Sequence, residues 1–164
     1  MIVEESLTYQ VNTANGAAEG LRETHWPAAE SQLTLSEESP DHFIQANGYE
    51  YAGGHVIIDL WGATNLDKLD VVEEAFKEAV RVCGATLLHM HFHHFQPNGG
   101  ISGVAVLAES HISIHTWPER NYAALDVFMC GDAKPLKAVE IFRKYFSAET
   151  AKVSELQRGR TDHV

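Results

Sequence analysis

Ser110, His115 and Cys130 are the side chains of this 164-residue chain best suited to covalent chemistry. The first two lie in Glu109-Ser110-His111-Ile112-Ser113-Ile114-His115-Thr116-Trp117-Pro118-Glu119. A hydroxyl becomes a nucleophile when a base reaches it and a third group orients that base. Ser110 with His115 is one such reading, and polar residues at a strand junction are the other. The G-x-S-x-G elbow of the α/β-hydrolases is absent. Histidine is abundant, with ten in all. His89, His91 and His93 alternate and would share one face of a strand, with His94 on the other. Imidazole binds zinc and iron well, but no H-E-x-x-H or C-x-x-C accompanies these residues, so no metal site is expected.

The elements that must position these residues begin near residue 51. His55-Val56-Ile57-Ile58-Asp59-Leu60-Trp61 reads as a strand closed by Gly62. Thr64 or Asn65 can cap the helix that follows. Its apolar face is Leu66, Leu69, Val72, Phe76, Ala79, Val80 and Cys83, with Gly84 as the stop. Strands are expected over 85–95, 103–108, 112–117 and 122–129. A second helix is expected over about 135–147, with Leu136, Val139, Phe142 and Phe146 on one face, and a short strand near 152–157. The pattern predicts an α/β fold, a two-layer α/β sandwich whose helices cover one face of a mostly antiparallel sheet.

Charge divides the chain. Residues 1–50 hold nine acidic side chains against Arg22 alone, whereas 51–164 hold 14 acidic and 11 basic. With Asn15-Gly16, Gly20, Pro27 and Ser39-Pro40, residues 1–50 read as an acidic, partly disordered extension, or as a partner-binding arm anchored by Trp26 and Phe43. Residues 51–164 read as the functional domain. The formal charge of −11 disfavours nucleic acid and anionic membrane as partners. No apolar run approaches the roughly 18 residues of a membrane span, and Met1-Ile2-Val3-Glu4-Glu5 does not open a secretory signal. The two cysteines exclude a disulfide-dense scaffold and suit a reducing, cytoplasmic setting.

Ala108 to Glu119, followed by Tyr122-Ala123-Ala124-Leu125-Asp126-Val127-Phe128-Met129-Cys130-Gly131, closely resembles the prokaryotic S-adenosylmethionine decarboxylase proenzymes. The likeness extends through Gly99 to Ala108 and Phe92-His93-His94-Phe95, and more loosely to His55. It implies a pyruvoyl enzyme that makes its own cofactor. Ser110 would attack the Glu109 carbonyl, and the ester would then eliminate. That would leave a β chain of residues 1–109 and an α chain of 110–164 with a pyruvoyl group at position 110. The family's pattern assigns His115 and Ser102 to this processing step. It assigns Cys130 as the proton donor in turnover, once the pyruvoyl group holds the substrate as a Schiff base. Phe95, Trp117 and Glu119 would contact the adenine and ribose of S-adenosylmethionine. The product would serve spermidine biosynthesis as aminopropyl donor, and the processed protomers would form a homodimer with shared active sites. A pyruvoyl-dependent ornithine or arginine decarboxylase is the alternative, with Phe95 and Glu119 as the discriminating residues.

Overall fold

The computed structural model describes residues 43–46 and 48–161. Trp26 and most of the acidic segment lie outside them. At the end of that segment and running one residue past it, β1 (Ile44–Ala46) and β2 (Tyr49–Tyr51) form a small antiparallel pair. The main sheet contains β3 (Gly53–Trp61), β4 (Leu87–His94), β5 (Ile101–Leu107), β6 (Ser110–Trp117), β7 (Tyr122–Met129) and β8 (Thr150–Arg158). Their order is β4-β5-β6-β7-β3-β8, and every neighbouring pair is antiparallel. Helices α1 (Leu69–Cys83) and α2 (Lys137–Tyr145) complete the α/β fold.

Alternation decides which face of the sheet is covered. Val56, Ile58 and Leu60 of β3, Ile112 and Ile114 of β6, and Leu125 and Val127 of β7 are buried. Against them α1 sets Val72, Ala75, Phe76, Ala79, Val80 and Cys83, and α2 sets Ala138 and Phe142. Phe76 meets Phe92 edge to face at 4.9 Å and Phe142 at 5.4 Å, joining sheet and both helices. Truncating a fully buried ring of this kind to Ala costs about 3–5 kcal/mol. Gly103 lets that packing happen: a Cβ there would lie 2.0 Å from the Phe92 ring and 2.6 Å from the His91 carbonyl.

Three expectations change. The first helix starts after Lys68 rather than at Thr64 or Asn65. Those two side chains instead donate to the Phe146 and Tyr145 carbonyls, tying the segment to the end of α2. Leu136 is 47% exposed rather than on the buried face, and Ala138 takes its place. The last strand is nine residues long and pairs along the whole of β3. The opposite face of the sheet carries His55, Ile57, Ser102, Val104, His111 and His115, alternating with the buried positions. Its apolar members Ile57, Val104, Val106 and Leu156 are 36–47% exposed.

Candidate active site

The register of β5 and β6 places Leu107 opposite Ser110, leaving Ala108 and Glu109 as a two-residue turn. Glu109 has φ 61°, the left-handed region. For a residue with a Cβ this costs roughly 1–2 kcal/mol, which is why such turns favour Gly or Asn. The strained residue therefore supplies the carbonyl just before Ser110. The Ala108 N–H, bonded to the Thr86 carbonyl at 2.9 Å, anchors the turn. On the other side, His111 pairs with Phe128, which brings the end of β7 beside Ser110. The Cys130 N–H donates to Ser110 Oγ at 3.2 Å. The Cys130 thiol is pushed above its ordinary pKa, first by burial and then by the Glu109 carboxylate. It is therefore the protonated thiol at neutral pH. Cys83, on the buried face of α1, is pushed up to about 11, mainly by burial, and is a core residue.

A second cluster stands at the far end of β5 and β6. Ser102 pairs directly with His115, and Ser102 Oγ lies 2.8 Å from His115 Nδ1. Around them is a cavity of about 360 Å³ whose lining includes Phe95, Gln96, Asn98, Trp117 and Glu119. Its floor is fixed by Thr116, whose buried hydroxyl accepts from the Ile101 N–H at 2.7 Å and donates to the Leu66 carbonyl at 2.8 Å. Gly100 is needed there, because a Cβ would lie 2.9 Å from the Thr116 carbonyl oxygen. Trp117 stacks on Tyr122 at 5.3 Å, and the single 3₁₀ turn Pro118–Arg120 carries Glu119 to the rim. The volume suits a small organic ligand, and the lining offers two aromatic faces and one carboxylate.

Ser110 and His115 are thus not a reactive pair within one chain. They lie on one extended strand, five residues apart at ~3.4 Å each, so about 17 Å separates them. Ser110 is grouped with Glu109 and Cys130, and His115 with Ser102, Phe95, Trp117 and Glu119. No cluster of three or more His, Cys, Asp or Glu side chains suited to a metal ion occurs among the described residues. Sequence reasoning missed Gln96 and Asn98 of the cavity, for which the turn-forming run Gln96-Pro97-Asn98-Gly99 was the available signal. It also missed a network on the open face. His55 Nε2 donates to Asp126 Oδ1 at 3.2 Å, Ser113 Oγ donates to Asp126 Oδ2 at 3.4 Å, and the Arg158 guanidinium donates to His55 Nδ1 at 3.2 Å. No local pattern marks it, because its members come from four strands.

Residues 54–159 match the family model described as S-adenosylmethionine decarboxylase. A strained turn before serine, a neighbouring protonated thiol and a Ser–His pair beside an aromatic cavity all lie within that stretch. The chain belongs to this family. It is 46% identical over 108 residues to the S-adenosylmethionine decarboxylase proenzyme of Thermomicrobium roseum, covering 65% of this chain and 93% of that protein. It is 46% identical over 113 residues to the proenzyme of that name from Methanococcus maripaludis, covering 67% and 92%. The crystal structure of the adenosylmethionine decarboxylase from Aquifex aeolicus is similar at a TM-score of 0.61 and 34% identity, over 66% of this chain and 92% of that one. No described helix is long and apolar enough to cross a membrane.

Proposed function

We propose that the chain cleaves itself between Glu109 and Ser110 and then, as a pyruvoyl enzyme, decarboxylates S-adenosylmethionine. The observation that carries this reading is the cleavage turn: Glu109 at φ 61° precedes a serine whose Oγ is engaged by the Cys130 N–H. Attack of Ser110 Oγ on the Glu109 carbonyl carbon breaks the C–N bond and gives an ester and a free amine. Loss of the Ser110 α-proton then expels the Glu109 carboxylate from the β-carbon. Water displaces ammonia from the resulting dehydroalanine in its imine form, leaving a new carboxylate on Glu109 and a pyruvoyl group at position 110. The twisted Glu109 backbone raises the energy of the uncleaved chain and favours the acyl shift. His115, held by Ser102, supplies base and hydrogen-bonding capacity for these proton transfers.

When formed, the pyruvoyl group supplies a carbonyl that condenses with an amine and accepts the electron pair released with carbon dioxide. The chain's own residues do the rest. Cys130, held protonated, returns a proton to the substrate α-carbon. Phe95 and Trp117 offer faces to adenine and to the cationic sulfonium, and Glu119 accepts hydrogen bonds from the ribose hydroxyls. The product is an aminopropyl donor for spermidine synthesis, made in the cytoplasm, where the Cys130 thiol stays reduced.

Because the two residue groups lie about 17 Å apart along β6, the working site needs a second copy of the chain. A homodimer in which the two open sheet faces meet with their β6 strands antiparallel would set the turn that carries Ser110 of one protomer near the His115 end of β6 of the other. The exposed Ile57, Val104, Val106 and Leu156 on that face support this homodimer. The activity is tested by carbon dioxide release from carboxyl-labelled S-adenosylmethionine, ornithine and arginine. Preference for the first by at least about 100-fold is expected. Equal or greater turnover of ornithine or arginine overturns the substrate, and no release from any of the three overturns the reaction.

A further inference from the structure

Phe95 is 47% exposed, on the turn that follows β4, yet a stacking residue must hold its ring in one place. Its backbone is fixed on both sides. The Phe95 N–H donates to the Gly100 carbonyl at 2.8 Å, and the Phe95 carbonyl accepts from the Gly99 N–H at 3.0 Å. Backbone bonds do not set a side-chain rotamer, but the Phe95 ring meets the His93 ring edge to face, at 4.4 Å and 69°. His93 is itself placed by register: it stands directly across from Ser102, which stands across from His115. The row His93–Ser102–His115 therefore spans three strands on one face. Only the latter two share a hydrogen bond, while the His93 imidazole turns to the Phe95 ring.

We propose that His93 is a positioning residue for substrate: its ring holds Phe95 in the orientation that stacks on the adenine, and it takes no part in proton transfer. This rests on the proposed decarboxylation of S-adenosylmethionine and specifies how the nucleoside end is selected. The carboxyl and amine ends do not depend on His93. The contribution of such a ring contact lies in ligand affinity, so it belongs in KM and not in kcat.

The test is steady-state kinetics on the processed enzyme, with the wild type, His93→Ala and His93→Phe compared, and chain cleavage followed on denaturing gels. His93→Ala should cleave normally and raise KM for S-adenosylmethionine about two- to tenfold, the range one aromatic pair supplies at about 1.4 kcal/mol per tenfold. Its kcat should stay within about twofold. His93→Phe, which keeps a ring and loses the titratable nitrogens, should restore most of the affinity. An unchanged KM in His93→Ala, a fall in kcat alone, arrested cleavage, or failure of His93→Phe to rescue would each overturn the proposal. A wild-type enzyme with no turnover of S-adenosylmethionine would instead overturn the activity on which it rests.

Discussion

Ser110 and His115 share strand β6 but stand at its opposite ends, about 17 Å apart at ~3.4 Å per residue. Proton transfer between them within one chain is geometrically excluded. A mixed-dimer experiment follows. Ser110→Ala and His115→Ala should each fail to cleave when expressed alone. Co-expressed, the His115→Ala chain should be cleaved, because its Ser110 meets the intact His115 of its partner. The Ser110→Ala chain should stay whole. Gel analysis with differently tagged chains reads the outcome, and no cleavage of either chain in the mixture would count against the shared site.

The strain at Glu109 gives a second expectation. In a Ser110→Ala background, which removes cleavage, Glu109→Gly should raise the melting temperature by a few degrees. Relief of the left-handed backbone, roughly 1–2 kcal/mol, exceeds the ~0.5–1 kcal/mol entropy cost of glycine. With Ser110 present, Glu109→Gly should slow cleavage up to about tenfold, since that strain no longer favours the acyl shift. Differential scanning calorimetry and timed gels measure the two effects.

The role proposed for Cys130 separates processing from turnover. Cys130→Ala should still cleave but lose about 10²–10⁴-fold in decarboxylation, the usual worth of a general acid. The pH profile carries the sign. A general acid works while protonated, so its activity falls as pH rises through the thiol pKa. In the uncleaved chain, burial and then the Glu109 carboxylate raise that pKa. In a Ser110→Ala background, which keeps the chain whole, Glu109→Gln removes the second cause, so the thiol should titrate at lower pH, read from thiolate ultraviolet absorbance. A titration that stays in place, or moves upward, would disconnect Glu109 from the thiol.

The β1–β2 pair gives a stability prediction. Tyr49 Oη donates to Gln157 Oε1 at 3.0 Å, and the Ala52 N–H donates to the Arg158 carbonyl at 2.8 Å. Ile44 and Tyr51 also line a small cavity with Gly131, Lys134 and Leu136, next to Cys130. Deleting residues 1–42 should leave cleavage and turnover within a few-fold. Deleting residues 1–52 should remove both bonds and that apolar cover, lowering stability by about 1–3 kcal/mol. Urea melts of the two truncations decide this, and equal stability would show the pair to be an ornament of the surface.

Much of the fold and part of the site are legible in the sequence. Strict alternation in Ile112, Ile114 and Thr116 set the inward face of β6, and therefore put His111, Ser113 and His115 outward together. The three- and four-residue spacing from Val72 to Cys83 marked the buried face of α1 in the same way. What failed were features set by distant partners. Thr64 and Asn65 have the chemistry of helix caps, but α2 claims their side chains, so the helix starts later. β1 and β2 are three residues each and sit in an acidic stretch, and nothing local showed that Tyr49 had a partner on β8. The distance between Ser110 and His115 was implicit in strand geometry, whereas the proposed completion of the site by a second chain has no signature within one sequence.

The central claim is that Ser110 becomes the cofactor by breaking the chain before it. Intact mass spectrometry of the purified wild-type protein tests this directly. Two polypeptides should appear, residues 1–109 with an ordinary carboxyl end and residues 110–164 lighter than the encoded segment by one ammonia. The second should resist Edman degradation and regain reactivity as a carbonyl toward hydrazines. A single unbroken chain carrying an intact Ser110 would contradict the account.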